Sequence, residues 1–442
     1  MSIIKNKPYA WVPTLYIAEA IPYAVVMTLS TLIFKNMGMS NTDLALYTSW
    51  LYLPWVIKPL WSPIVDALRT KKWWIVCMQT LIAGALAGVA FSLNTDAWVQ
   101  WSLAFFWVMA FSSATHDIAA DGFYILALNS HQQALYVGIR NTFYRVGNIL
   151  VQGGLVMLFG WLTAGAPSFD GKKLIPSLEE QIASCWSLVL GVLAILFAIF
   201  VIWHFMVLGS FENKAKTEGK PFAEVLKGTM VEFVNTVKIF FSKPQIVCAL
   251  LFMLLFRFPE AQLGKMATPF MLDPIDKGGL ALSTEIVGFV YGTVGVIGLT
   301  IGGILGGFAV AAHGLKRWLW PMVLSISLPD AVYIYLSYSQ CQNLYVINSC
   351  VFIEQFGYGF GFTAYMLYLV YFARGENSTS IYALCTGIMA LGMMLPGMIA
   401  GKLCDTIGYP SFFLWVMGCC LVTVLVSAFI KVDAEYGKKK QS

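Results

Sequence analysis

Charge is what this chain has least of. Of its 442 residues only 12% are Asp, Glu, Lys or Arg, where soluble domains carry about 25%, and 58% are hydrophobic against roughly 45–50%. That balance excludes a soluble globular fold. Histidine is scarce as well: His116, His131, His204 and His313 stand far apart, so no zinc-protease helix signature exists. The nine cysteines lack the close Cys/Cys or Cys/His spacing of metal ligands and read as small buried apolar residues. Neither a glycine-rich phosphate loop nor a Ser/His/Asp arrangement at usable spacing is present. The chain is therefore expected to be no enzyme, to hold no metal or cofactor, and to draw on a gradient for any work it does.

What the chain has instead is long apolar runs. A membrane helix needs about 20 mainly apolar residues, and about twelve such stretches occur between short polar breaks. The expected spans lie near residues 9–34, 43–65, 73–93, 98–127, 135–163, 182–209, 244–271, 284–311, 318–338, 344–374, 380–407 and 411–431. An all-α membrane protein follows, because lipid offers backbone groups no water to bond. The first span contains Glu19 and Pro22 and lacks a small-residue cleavage site, so it is expected to stay as a helix. Lysine and arginine set the topology. Segments placed inside hold Lys71, Lys72, Lys214, Lys216, Lys316, Arg317 and Lys438 among others, whereas those outside hold Lys35, Lys172, Lys173 and Lys277, with Lys402 near an outer end. Both termini are thus expected in the cytoplasm, and topology accounts for the net charge of +5 without a nucleic-acid partner.

The longest polar break divides the chain. We expect a six-helix bundle over 1–210, a cytoplasmic linker with an amphipathic helix over 211–243, a second six-helix bundle over 244–431 and a cytoplasmic tail over 432–442. Weak symmetry supports the division, since Gly138–Gly154 in the fifth span resembles Ile381–Gly397 in the eleventh. Two such halves with a midplane site are the major facilitator architecture of 12 transmembrane helices. In the eighth span Gly288, Gly292, Gly295, Gly298, Gly302, Gly303, Gly306 and Gly307 offer faces for close helix packing.

Charge inside the spans needs a reason. Asp117 and Asp121 sit four residues apart on one helix face, where mutual repulsion and desolvation make the pair a candidate proton carrier. Lys58, Arg140 and Arg145 are available to balance Glu19, Asp117 and Asp121, although Arg140 lies near the end of its span and is expected to pair at the surface. In the second half Arg257 and Glu260 are three apart and can pair, leaving Glu354 or Asp330 for Lys265. Tyr23, Tyr124, Asn141, Tyr144, Gln152, Tyr291, Tyr358 and Tyr365 suit a polar, stacking-capable cavity for sugars.

Several of these residues carry a family resemblance. The run Trp50-Leu-Tyr-Leu-Pro-Trp-Val-Ile-Lys-Pro-Leu-Trp-Ser-Pro-Ile-Val-Asp66 resembles the second-span motif of AmpG-type muropeptide permeases, with its lysine, its Leu-Trp-Ser-Pro and its closing aspartate. Ala110 to Asp121 resembles the fourth-span Ser-Gln-Asp-Ile-x-x-Asp element that those permeases share with acetyl-CoA transporters. Glu19-Ala-Ile-Pro22 and Val351-Phe-Ile-Glu-Gln355 are similar to first-span and tenth-span elements of the same branch. The resemblance implies alternating access and proton-driven import of anhydro-muropeptides across a bacterial inner membrane by a monomer. It implies proton or substrate roles for Asp117 and Asp121, pairing by Lys58, and site roles for Arg145, Glu260 and Glu354. His116 replaces the usual glutamine, Arg257 stands where lysine is common, and Gly122 is the acetyl-CoA-transporter choice. Acetyl-CoA, another nucleotide conjugate or an oligosaccharide is the alternative cargo.

Overall fold

A computed structural model describes residues 7–67, 69–128, 130–164, 182–209, 222–375 and 378–437, and among them the secondary structure is helical with no strand. The expected linker and tail lie partly outside these residues. Among the described residues ten helices are long and apolar enough to cross a membrane: α1 (Pro8–Asn36), α4 (Lys71–Ser92), α5 (Trp98–Ala127), Thr142–Thr163 within α6, α7 (Ile182–Val207), α9 (Ile246–Leu272), α10 (Thr284–His313), α11 (Leu315–Ser339), Ser380–Ile407 within α13, and α14 (Tyr409–Phe429). Twelve crossings are compatible with the remainder. The second expected span is split into α2 (Asn41–Trp50) and α3 (Leu53–Ala67), while the tenth is α12 (Leu344–Phe372), whose Tyr, Gly, Gln and Glu dilute its apolar character. Helix α6 begins as Ser130–Ile149, and α13 runs Ser378–Ile407. Between the bundles, α8 occupies Phe222–Ser242.

Proline places the breaks. A proline has no N–H for the carbonyl four residues back, so a helix tends to stop there. Pro54 withholds that bond from Trp50, the last residue of α2. Pro259 withholds it from Leu255, where the first segment of α9 ends before the helix restarts at Phe258. In α1 the widened π turn Val25–Leu29 follows Pro22.

By internal contact the chain forms two compact units, one of residues through Met37 with Ile57–Phe233, the other of Gly38–Val56 with Val234 onward. In the first unit, α1, α5 and α7 share a core in which Trp11 packs edge-on against Phe123 at 4.9 Å and Tyr16 lies beside Tyr124. In the second, Phe252, Phe256 and Tyr365 stack at the centre, and the Tyr365 hydroxyl donates to the Met253 carbonyl at 2.6 Å. Helix α2 is held at its amino end, where Asp405 Oδ2 accepts from the Thr42 amide at 3.0 Å and its hydroxyl at 2.7 Å.

The glycines of α10 let it lie directly on α12. A Cβ at Gly298 would sit 2.8 Å from the Phe352 carbonyl oxygen, one at Gly306 would sit 2.8 Å from Thr363 Oγ1, and one at Gly302 would overlap the Phe356 carbonyl oxygen. Gly307 faces open space. Gly302→Ala is therefore expected to destabilise the protein by about 1–3 kcal/mol, with Gly307→Ala within about 0.5 kcal/mol of the parent. Thermal unfolding of the purified variants measures both, and equal shifts would contradict this packing.

Candidate functional site

The acidic pair on α5 lies at the centre of a charged cluster in the first unit. Asp117 Oδ2 forms a close ion pair with Lys58 Nζ of α3. One turn along, Asp121 Oδ1 accepts from Arg140 Nη2 of α6 at 2.8 Å and from the Tyr16 hydroxyl of α1 at 3.3 Å. The Arg140 guanidinium lies over the Tyr16 ring at 4.4 Å and the Tyr124 ring at 5.2 Å, which fixes its plane. Arg140 thus belongs to the cluster, against the expectation of surface pairing, because the aromatic rings of α1 and α5 draw it inward. Glu19, a turn from Tyr16, is buried beside both aspartates with its Oε2 unpartnered. The side chain of Asp117 is 24% accessible and that of Asp121 43%, so both face an open recess.

A second polar feature braces the same helices. Gln79 of α4 bonds His116 Nε2 through its amide nitrogen and His204 Nδ1 through its amide oxygen, each at 3.0 Å, and His204 Nε2 reaches Thr14 Oγ1 at 3.0 Å. Gln79, His116 and His204 are fully buried. This chain ties α1, α4, α5 and α7 together beside Asp117. Sequence spacing hides it, since its members lie more than thirty positions apart. At Gly122 a Cβ would stand 2.7 Å from Lys71 Cε, the far end of a flexible side chain that can move aside.

The other residues expected in the site are distributed as follows. Tyr124 is buried in the core of the first unit, and Tyr23 is half-buried on α1. Arg145 on α6 is half-buried with no ion-pair or hydrogen-bond partner among the described residues, and Gln152 occupies a π turn at Leu150–Leu155. The side chain of Asn141 lies outside the described residues. Arg257, Glu260, Tyr358 and Glu354 belong to the second unit.

There, Arg257 occupies the α9 break and grips Glu260 with both faces of its fork, at 2.6 and 3.0 Å, while donating to the Tyr358 hydroxyl at 2.7 Å. Its guanidinium also stacks 4.8 Å from the Phe362 ring centre. Glu354 accepts from Gln355 at 3.0 and 3.1 Å and from Tyr333 at 3.5 Å. Lys265 pairs with neither Glu354 nor Asp330. It is buried, donates to Thr48 Oγ1 of α2 at 3.0 Å and lies over the Tyr52 ring, because its stem points to α2 and not to α12. Sequence reading missed this site, since nothing in spacing joins residues 48 and 265.

Comparison with known proteins accords with this anatomy. The chain is 24% identical over 427 residues to the "Putative transporter AmpG 4" of Rickettsia felis, covering 94% of each protein. It is 24% identical over 407 residues to the "Anhydromuropeptide permease" of Escherichia coli K12, covering 90% of this chain and 75% of that one. Among solved structures a D-xylose-proton symporter superposes with a TM-score of 0.71 at 14% identity, covering 97% of this chain and 98% of that one, and the nucleoside transporter NupG with 0.66 at 13%, covering 96% and 100%. These two show the shared fold. The sequence model of the Major Facilitator Superfamily matches residues 14–395, and the chain, a membrane transporter built of helices, belongs to that superfamily.

Proposed function

We propose that this protein is a proton-coupled secondary transporter that imports anhydro-muropeptides by alternating access, in a bacterial inner membrane and with both termini cytoplasmic. The carrying observation is the charge balance around α5. Glu19, Asp117 and Asp121 supply three carboxyl groups and Lys58 and Arg140 two cations, so one proton neutralises the cluster. A group that binds one proton in an open recess is what coupling requires. The cargo follows the name of the Escherichia coli relative.

The geometry suggests how coupling proceeds. While ionised, Asp121 holds the Arg140 fork; a proton on Asp121 releases that fork to an anionic group of the substrate. Proton and substrate then strengthen each other's binding, and by linkage the effect is mutual. Substrate affinity should therefore tighten as pH falls, with a coupling typically about 5–150-fold.

Isothermal titration with an anhydro-muropeptide across a pH series reads this directly. Asp121→Asn should flatten the profile, and a profile unchanged by that substitution would refute the release step. In proteoliposomes Asp117→Asn or Asp121→Asn should abolish uptake driven by a proton gradient while exchange of labelled for unlabelled substrate persists; undiminished gradient-driven uptake would sink the proposal. Lys58→Ala leaves Asp117 without its counter-charge and should cost roughly 3 kcal/mol of stability, most of it recovered when Asp117→Asn is added. Melting curves of the single and double variants test this, with failure of the second change to rescue as the contrary result.

A further inference from the structure

Three segments meet at one end of the second unit: Lys243 to Gln245, which lead into α9; Tyr371 to Arg374, which close α12; and Lys431 to Asp433, which follow α14. They line a cavity of about 380 Å³. Lys243, Arg374 and Lys431 bring three positive charges to it against the single carboxylate of Asp433. No carboxylate lies within ion-pair range of any of the three cations among the described residues. Lys243 Nζ instead donates to the Arg374 carbonyl at 2.7 Å and lies over the Phe372 ring, and the Arg374 guanidinium stands 4.0 Å over the Tyr436 ring. Ring faces and a carbonyl hold these groups in place without neutralising them. Positive charge so arranged around a cavity is a receptor for an anion.

The surroundings specify the anion further. Helix α9 starts at Gln245 without a side-chain cap, so the free amides of its first turn add to the positive field. Val247 and Leu251, one turn apart on α9, are 65% and 44% exposed, which continues the cationic cavity into an apolar strip along a membrane span. A charged mouth above an apolar strip matches a phosphate carried on acyl chains.

We propose that this cavity binds the phosphate headgroup of an anionic phospholipid, whose chains lie along α9. Bound there, the lipid steadies the start of the helix that carries Arg257, Glu260 and Lys265.

The test uses the full-length purified protein in detergent, titrated with phosphatidylglycerol, with phosphatidylcholine and with inorganic phosphate, read by thermal unfolding and by native mass spectrometry. Phosphatidylglycerol should raise the unfolding midpoint and remain bound, and phosphatidylcholine should not. Replacing Lys243, Arg374 and Lys431 together by Gln should weaken phosphatidylglycerol binding on the order of a hundredfold, and Lys431→Gln alone about fivefold, a variant outside the helices that folds if the triple variant does not. Lys316→Gln with Arg317→Gln removes two positive charges elsewhere in the second unit, more than Lys431→Gln alone, and should leave binding unchanged. Equal response to the two lipids, or equal loss in the Lys316/Arg317 variant, overturns the site. Protection by inorganic phosphate as strong as by phosphatidylglycerol overturns the lipid as its occupant.

Discussion

A carboxylate packed between helices can stay ionised only if a cation or a hydrogen-bond donor compensates for the water it has lost, and the first unit is arranged around that requirement at Asp117 and Asp121. Three helices supply the compensation to the acids on α5: Lys58 comes from α3, Arg140 from α6 and Tyr16 from α1. The polar chain from Thr14 through His204 and Gln79 to His116 then fixes the height of α5 against its neighbours, so that the ion pairs meet. Charge and register are thus one problem solved twice. The second unit meets the same requirement differently, closing Arg257 and Glu260 into a pair on a single helix.

Proline contributes at both places where charge enters. The break before Pro54 lies a few residues ahead of Lys58, and the break before Pro259 holds Arg257 and Glu260. A helix interrupted there presents side chains in directions an unbroken helix would not. Irregular backbone inside a membrane protein is tolerated where it borders a polar path, and the second break carries Arg257.

Much of this was legible in the chain. Apolar run length found the helices because the bilayer sets a minimum length, and the four-residue spacing of Asp117 and Asp121 found the heart of the cluster because a helix turn fixes which neighbours share a face. Arg140 was misjudged because position along a span says nothing about the two tyrosine rings that draw it in. Lys265 was given a carboxylate partner because charge balance in sequence ignores direction, and its actual neighbour, Thr48, comes from a helix more than two hundred residues earlier. Gly122 marked a cargo class when read as a motif letter, yet its space is taken by the stem of Lys71.

The contact of α10 on α12 has a mechanical consequence. Where a carbonyl oxygen rests against a glycine, no side chain lies between the helices to change rotamer and absorb a displacement. The two helices act as one stiff beam along Gly298 and Gly302. Tyr291 rides on one member of that beam and Glu354 on the other, and both reach Tyr333 of α11. Among the described residues the hydroxyl of Tyr333 is thus the one group through which both helices of the pair are hydrogen-bonded to α11.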